Sequence, residues 1–230
     1  MSLNIRKGDM YKFIDFTWNP IKGKCLHDCS YCYMKQINPN ANLPRLAEHE
    51  LNTYLGYGRS IFIGSSTDMF AENIPSEWIK RVLDYCYQNS NMEQPNTYLL
   101  QSKNPKRFLE FINHPLMKRV VFCTTIETNR FYPEIMNNAP KIGERVEAME
   151  EIASLGRSTM VTAEPLMQFD REEMATFIKR CRPKLVNIGR NSCRRTILPE
   201  PTPKEVQQLI AELKSFTKVN VKDNALEWCK

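Results

Sequence analysis

The chain has 230 residues, of which 42% are hydrophobic and 25% charged, and its formal net charge is +6. These proportions are those of an ordinary globular protein, and they argue against a disordered chain or a coiled coil. The apolar runs are too short to cross a membrane, and the N-terminal residues are polar where a secretory signal would be apolar. We therefore expect a single domain, residues 1–230, in the cytoplasm and without a membrane segment.

Short apolar runs alternate with amphipathic segments along the chain. The predicted strands are residues 12–16, 60–63, 97–100, 119–126, 158–163 and 184–188, with a last one at 218–221. Helices are predicted over 43–55, from 75 onward, and over 105–112, 142–155, 170–181 and 203–216. Apolar strands that alternate with helices form parallel sheets, so the expected fold is α/β, a partial barrel of six strand–helix units. Periodicity alone leaves a doubly wound sheet open as the alternative.

Three of the eight cysteines, Cys25, Cys29 and Cys32, lie within eight residues of one loop. Three thiolates leave one iron of a cubane cluster open for an exogenous ligand, whereas electron-transfer clusters normally use four cysteines. The loop therefore predicts a 4Fe-4S cluster that takes part in chemistry. One alternative is a structural zinc site with His27 as the fourth ligand. Another is a closed cluster completed by Cys193 or Cys229.

The segment from Trp18-Asn19-Pro20 to Tyr33 resembles the radical S-adenosylmethionine (SAM) superfamily, whose CxxxCxxC signature it matches. Within that superfamily it is most similar to the phage Gp37/Gp68-like (DUF5131) group and to small spore photoproduct lyase-like proteins. The resemblance continues through Ile61-Phe62-Ile63-Gly64, Asp68-Met69-Phe70, Ile126-Glu127 and Glu164-Pro165-Leu166. Lys24 stands where the family usually has a glycine before the first cysteine.

This resemblance implies a single radical SAM domain with a partial (β/α)6 TIM-like barrel. It also implies an enzyme in which Cys25, Cys29 and Cys32 are the metal ligands of a 4Fe-4S cluster. Such an enzyme reductively cleaves SAM to a 5′-deoxyadenosyl radical, which abstracts hydrogen from the substrate. Its partners would include an electron donor such as flavodoxin or ferredoxin.

The resemblance also implies a set of cofactor-binding residues at the ends of the strands. Tyr31 would lie near the adenine, although ordinary loop packing is the alternative. Ser65, Ser66 and Asp68 replace the family's Gly-Gly-Glu segment, and Asp68 has a turn-capping role as its alternative. The family places polar groups for ribose and carboxylate at Glu127 and Asn129. Glu164 follows the next strand, and its alternative is a structural ion pair with Arg190.

Basic residues recur after the predicted strands and suggest a substrate with negative charge, either a small molecule or a nucleotide or nucleic acid. They are Lys103, Lys106, Arg107, Arg130, Arg190, Arg194 and Arg195, of which Lys106 and Arg107 fit solvent-facing helix positions better. Cys193 is the candidate catalytic hydrogen-atom donor, whereas Cys86, Cys123 and Cys181 fit inert buried positions. The alternative function is a non-catalytic, zinc-stabilised nucleic-acid-binding module.

Overall fold

The computed structural model describes residues 3–8, 10–193 and 195–229. The strands are β1 (Asn4–Ile5), β2 (Phe16–Trp18), β3 (Ile21–Lys22), β4 (Arg45–Leu46), β5 (Ser60–Ile63), β6 (Thr97–Gln101), β7 (Val120–Thr125), β8 (Ser158–Ala163), β9 (Leu185–Ile188) and β10 (Lys218–Val221). The helices are α1 (Met34–Ile37), α2 (Ser76–Gln88), α3 (Pro133–Met136), α4 (Ile142–Ser154), α5 (Arg171–Arg180) and α6 (Pro203–Leu213). Segments of 3-10 helix cover Glu48–Asn52, Pro105–Phe111, Pro115–Arg119 and Asp223–Cys229.

Eight strands form one sheet in the order β1-β2-β5-β6-β7-β8-β9-β10. Only β1 runs antiparallel to its neighbour, and every other described pair in this sheet is parallel. The expected α/β class and mostly parallel sheet are therefore confirmed. Among the described strands the order runs from β1 to β10 without closing into a full barrel. A separate antiparallel pair joins β3 to β4.

The two faces of the sheet carry different layers. The outer face packs against α2, α4, α5 and α6 in the main core, which includes Ile61, Leu100 and Phe122. The opposite face, called the inner face below, carries Phe62, Leu99, Cys123 and Met160 and is covered by Tyr11 and Ile14. Because side chains alternate along a strand, neighbouring residues such as Ile61 and Phe62 reach opposite layers. The segment before β2 therefore fills the inner face.

The predicted helix over 43–55 is wrong. Arg45 and Leu46 pair with β3, the Ala47 N–H donates to the Pro20 carbonyl, and only a 3-10 turn follows at Glu48–Asn52. The leucines in residues 43–55 have helical spacing, but this pattern reflects only neighbouring residues. Pairing with β3, which is distant in the chain, overrides it.

Two other elements differ in extent or type. The strand predicted over 12–16 corresponds to β2, which covers Phe16–Trp18, and the segment predicted as a helix over 105–112 is a 3-10 helix. In that segment the buried Arg107 guanidinium donates to the carbonyls of Ala71 and Ile74. The remaining long helices lie where predicted. In the described part of the chain, the helices lack the combination of length and apolar character that a membrane span requires.

Candidate active site

The predicted site residues follow the carboxyl ends of neighbouring parallel strands. Ser65, Ser66 and Asp68 follow β5, Glu127 and Asn129 follow β7, and Glu164 follows β8. Cys193 lies in the loop after β9. Ligands and catalytic groups of α/β proteins gather at this edge of the sheet, because the loops there converge on one region.

The cysteine loop, residues 24–33, lies over this edge and is fastened at several points. The Ser30 N–H donates to the Ile135 carbonyl, and the Asn137 side chain donates to the Asp28 carbonyl at 2.6 Å. Asp28 has a φ of 51°, a left-handed conformation that aspartate tolerates better than most residues. The loop is thus held in one shape by α3 and its following residues.

The three clustered thiols are free, with Cys29 buried and Cys25 and Cys32 partly exposed. Burial raises the pKa of Cys25 to about 12, with smaller contributions from Asp68 and Cys29. Among the described residues no group of three or more Cys, His, Asp or Glu side chains is gathered closely enough to hold a single metal ion. A cubane cluster spreads its thiolate ligands further apart than one ion does. Three free thiols on one anchored loop are therefore a donor set that fits a cluster with one open iron.

Asp68 connects the cysteine loop to two strand ends. Its carboxylate accepts hydrogen bonds from His27 Nε2 at 2.8 Å, Ser102 Oγ at 2.9 Å and the Lys103 N–H at 2.9 Å, as well as from the Phe70 N–H. Burial alone would raise the pKa of Asp68, but His27 and the backbone donors lower it, so the net pKa lies below the usual value. The carboxylate therefore fastens the loop, and its contact with a cofactor stays a prediction.

Glu127 is fully buried beneath the cysteine loop. It accepts a hydrogen bond from the Tyr31 hydroxyl and one from Arg145 Nη1 at 2.8 Å, and Lys103 Nζ lies 3.4 Å away. Burial opposes its ionisation, but Arg145 and Lys103 hold the pKa of Glu127 below its usual value. The structure thus brings together the predicted residues Tyr31 and Glu127.

Arg145 was not among the sequence predictions. It is fully buried, and its Nη1 also donates to the Thr125 carbonyl. The sequence pattern that could have identified Arg145 is its place on the apolar side of α4, three residues after Ile142 and four before Met149. A charged residue on such a face needs a buried partner, and here the partner is Glu127.

Ser65 and Ser66 are held by Asn19, another residue that sequence reasoning missed. Ser65 Oγ and the Ser66 N–H both donate to Asn19 Oδ1, at 3.2 and 2.9 Å. The Tyr33 hydroxyl donates to the Ser65 carbonyl, so the end of the cysteine loop reaches this turn. Gly64 has a φ of 78°, which a side chain would strain.

Asn129 and Glu164 have partners that the sequence did not suggest. The Asn129 amide donates to Asp170 and Glu173, so its described contacts are with the start of α5. Both Glu164 oxygens lie 2.8 Å from Lys222 Nζ, after the last strand. Glu164 thus forms the structural ion pair that was its alternative role, but its described partner is Lys222, whereas Arg190 pairs with Glu200 and Glu227.

The basic residues at this edge are largely neutralised. Each of four pairs with a carboxylate: Lys103 with Glu127, Arg107 with Glu110, Arg130 with Asp170, and Arg190 with Glu200 and Glu227. Lys106 and Arg195 are exposed. Arg107 is buried, so its predicted solvent-facing position is wrong. Arg194 lies outside the described residues.

Cys193 is buried and close to the cysteine loop. Its Sγ lies 3.7 Å from Thr196 Oγ1, and this hydroxyl donates to the Ser30 carbonyl at 2.9 Å. Burial raises the pKa of Cys193, but hydrogen bonding with Gln36 and Thr196 and with the backbone outweighs it, so the net pKa is lowered. The loop after β9 thus contacts the cysteine loop at Ser30.

Comparisons with known proteins place the chain in a family. The model of a family described as proteins of unknown function, DUF5131, matches residues 10–175. This confirms the DUF5131 part of the predicted resemblance, and the phage connection stays a prediction. No curated protein matches the chain.

Two solved structures are similar to the chain in fold. Spore photoproduct lyase complexed with dinucleoside spore photoproduct is 11% identical with a TM-score of 0.59, over 94% of this chain and 65% of that chain. SuiB of Streptococcus suis, bound to S-adenosylmethionine, is 9% identical with a TM-score of 0.55, over 89% of this chain and 49% of that chain. The chain thus spans about two thirds of the lyase and half of SuiB. The protein belongs to the DUF5131 family, and its fold is similar to that of radical SAM enzymes.

Proposed function

We propose that this protein is a radical SAM enzyme. A 4Fe-4S cluster with bound SAM supplies a 5′-deoxyadenosyl radical that abstracts hydrogen from a substrate. The observation that carries the proposal is the position of Cys25, Cys29 and Cys32. These free thiols lie on one anchored loop, at the carboxyl edge of a parallel sheet whose fold is similar to that of radical SAM enzymes.

The chain's own residues have distinct roles in this proposal. Cys25, Cys29 and Cys32 hold the cluster, and the Asp68–His27 hydrogen bond keeps their loop in place. Tyr31 would pack beside the SAM adenine, and Ser65, Ser66, Glu127, Asn129 and Glu164 would be candidates for binding the cofactor's polar groups. Tyr31 is hydrogen-bonded to Glu127, and Glu127 to Arg145, so these buried contacts orient the side chains.

Cys193 is the proposed hydrogen-atom donor to a substrate radical. Its loop touches the cysteine loop through Thr196 and Ser30, which supports a position near the reacting groups. We propose a substrate with negative charge, a small molecule or a nucleotide or nucleic acid. The exposed Arg195 supports this, as does the dinucleoside bound by the similar lyase. A cytoplasmic electron donor such as flavodoxin or ferredoxin would supply the electron.

One observation favours the alternative of a zinc-stabilised nucleic-acid-binding module. His27 Nε2 bonds to Asp68, while its buried Nδ1 has no hydrogen-bond partner in the described part of the chain. Metal-binding histidines often pair one ring nitrogen with a carboxylate in this way. A zinc site would require Nδ1 and the three thiols to converge on one ion.

Metal analysis and SAM cleavage separate these two functions. The protein is purified without oxygen and reconstituted with iron and sulfide, and its iron, sulfide and zinc are quantified. It is then incubated with SAM and dithionite, and 5′-deoxyadenosine is measured by chromatography. We expect iron and 5′-deoxyadenosine in the unchanged protein, loss of both in Cys29→Ala, and retention of iron in Cys193→Ala and Cys229→Ala. Zinc without iron, or iron without SAM cleavage, would contradict the radical function.

A further inference from the structure

An open groove of about 450 Å³ lies beside the amino ends of β2 and β5, at the edge of the sheet away from the cysteine loop. Its lining includes the basic residues Arg6, Lys12 and Arg59 and one carboxylate, Asp15. Lys12 forms an exposed ion pair with Asp223. In the described part of the chain, neither Arg6 nor Arg59 forms an ion pair with a carboxylate. The groove therefore has more positive than negative charge, and its two arginines are available for an anion.

Arg59 is fixed in position, but most donors of its guanidinium have no described partner. Its Cζ lies 4.7 Å from the centroid of the Phe16 ring, and its backbone N–H donates to the buried Asn96 side chain at 2.9 Å. Gly56 has a φ of 69°, and a Cβ there would lie 2.3 Å from Arg59 Cζ, so a glycine makes room for the side chain. Among the described residues, the guanidinium donates one hydrogen bond, to the Leu55 carbonyl at 3.5 Å. Its other N–H groups are available for the oxygens of an anion.

Two exposed tyrosines lie on the turn that leads to Arg59. Tyr54 and Tyr57 are 60% and 49% exposed, and their ring centroids lie 5.8 Å apart in an edge-to-face arrangement. Arg59 Cζ lies 6.0 Å from the centroid of the Tyr54 ring. Neither tyrosine is part of the hydrophobic core that the described residues form. Aromatic rings that are exposed beside a cationic groove indicate a surface for a flat, anionic ligand.

We propose that this surface binds single-stranded nucleic acid, with a phosphate at Arg6 and Arg59 and a base stacked on Tyr54 or Tyr57. Surfaces that bind single strands combine a positive groove for the backbone with aromatic rings for the bases, and here the two are adjacent. Inorganic phosphate would use the arginines alone, and an acidic peptide would leave the rings without a flat partner. The bases of a duplex are stacked on each other and so are closed to the tyrosines. The formal net charge of +6 favours the same ligand.

This inference goes beyond the proposed radical chemistry, because the groove and the cysteine loop lie at different edges of the sheet. Strand binding and SAM cleavage can therefore be measured separately on the same protein.

The reconstituted protein is titrated with a fluorescently labelled oligothymidylate of about 12 nucleotides, a length that one single-strand-binding module covers. Binding is followed by fluorescence anisotropy. An abasic strand of the same length keeps the phosphates but has no bases, and polyglutamate, added as a competitor, has negative charge alone. The same titration with oligouridylate assigns the strand to DNA or RNA.

We expect the abasic strand to bind about tenfold more weakly than oligothymidylate, because the stacking of bases on the tyrosines is lost. Tyr54→Ala should weaken oligothymidylate binding about tenfold for the same reason. Arg59→Gln should also weaken it about tenfold, since a charged donor to phosphate is removed.

The matched controls are Tyr87→Ala, which removes an exposed tyrosine of α2, and Arg180→Gln, which removes an arginine of α5 that pairs with Glu150. Arg180→Gln changes the net charge by the same amount as Arg59→Gln. Both controls should bind the strand as the unchanged protein does. Thermal unfolding of each variant shows whether it is folded.

Equal binding of the abasic strand and oligothymidylate would overturn the inference, as would unchanged binding in the folded Tyr54→Ala and Arg59→Gln variants. Polyglutamate that displaces the labelled strand as well as unlabelled oligothymidylate does would reduce the groove to a general anion surface and overturn it too. If Arg59→Gln does not fold, the exposed Tyr54 and the comparison of strands on the unchanged protein still decide. Strand binding without SAM cleavage would contradict the proposed function and leave this inference standing, whereas SAM cleavage without strand binding would overturn this inference alone.

Discussion

Glu127 is held by the buried Arg145, the partly buried Lys103 and the hydroxyl of Tyr31. Removing one member of a buried ion pair leaves the other charge without compensation, which is far more costly than losing a surface pair. Arg145 is fully buried as well, so it has no access to water when its carboxylate is lost.

We therefore expect Glu127→Ala to lower the free energy of unfolding by about 3–5 kcal/mol, measured by urea denaturation. The matched control is Glu48→Ala, which breaks an exposed pair with Arg81 and should leave the unfolding midpoint nearly unchanged. Equal losses in the two variants would contradict the buried network.

The reactivity of the cysteines outside the cysteine loop is a second prediction. Burial raises the pKa of Cys181 to about 12 and also raises the pKa values of Cys86 and Cys123. Because the thiolate is the reactive form, these three should resist iodoacetamide in the native protein, while the exposed Cys229 reacts first. Mass spectrometry after timed alkylation checks this order. Early labelling of Cys86 or Cys123 would contradict their placement in the core.

Sequence reasoning identified the residues that a local sequence pattern marks. It missed the residues whose role depends on partners far away in the chain. The three clustered cysteines are recognisable from spacing within one loop, and Glu127 from its position after a strand. Asn19, Arg145 and Lys222 were missed, because their partners Ser66, Glu127 and Glu164 are far away in the chain.

At the level of the elements, residues outside the cysteine loop hold that loop in place. Asp68, after β5, ties His27 to the ends of β5 and β6. A neutral amide at this position would keep the size of the side chain but lose the charge that accepts all these donors.

We expect Asp68→Asn to loosen the loop, so that amide hydrogen exchange over residues 24–33 becomes faster and less iron is retained after reconstitution. Asp84→Asn is the matched control, since Asp84 pairs with Lys80 and His114 on the surface. Its exchange over the same residues should equal that of the unchanged protein. Identical exchange in Asp68→Asn would show that the loop does not need this anchor.

The elements were predictable to different degrees. The strands from β5 to β10 and the long helices followed from hydrophobic periodicity, because each is a continuous local pattern. Regular hydrophobic patterns also occur over residues 43–55 and 12–16, but the apolar side chains there make other contacts. Leu46 joins a strand pair, and Ile14 packs on the inner face. Such long-range packing leaves no separate signal in a local pattern.

At the scale of the whole molecule, strand order explains why the predicted site residues gather at one edge of the sheet. Seven parallel strands end on the same side, so loops that are far apart in the chain meet there. The alternation of strands and helices predicted this arrangement. The filling of the inner face by Tyr11 and Ile14 was not predictable, because nothing in that segment's composition distinguishes it from an edge strand.

The most direct test of the proposed function is the electron paramagnetic resonance spectrum of the reduced, reconstituted protein with and without SAM. An open iron would bind SAM and change the spectrum, and the account predicts such a change together with its loss in Cys29→Ala. A cluster whose spectrum is the same with and without SAM, or a protein that takes up zinc and no iron, would contradict the account.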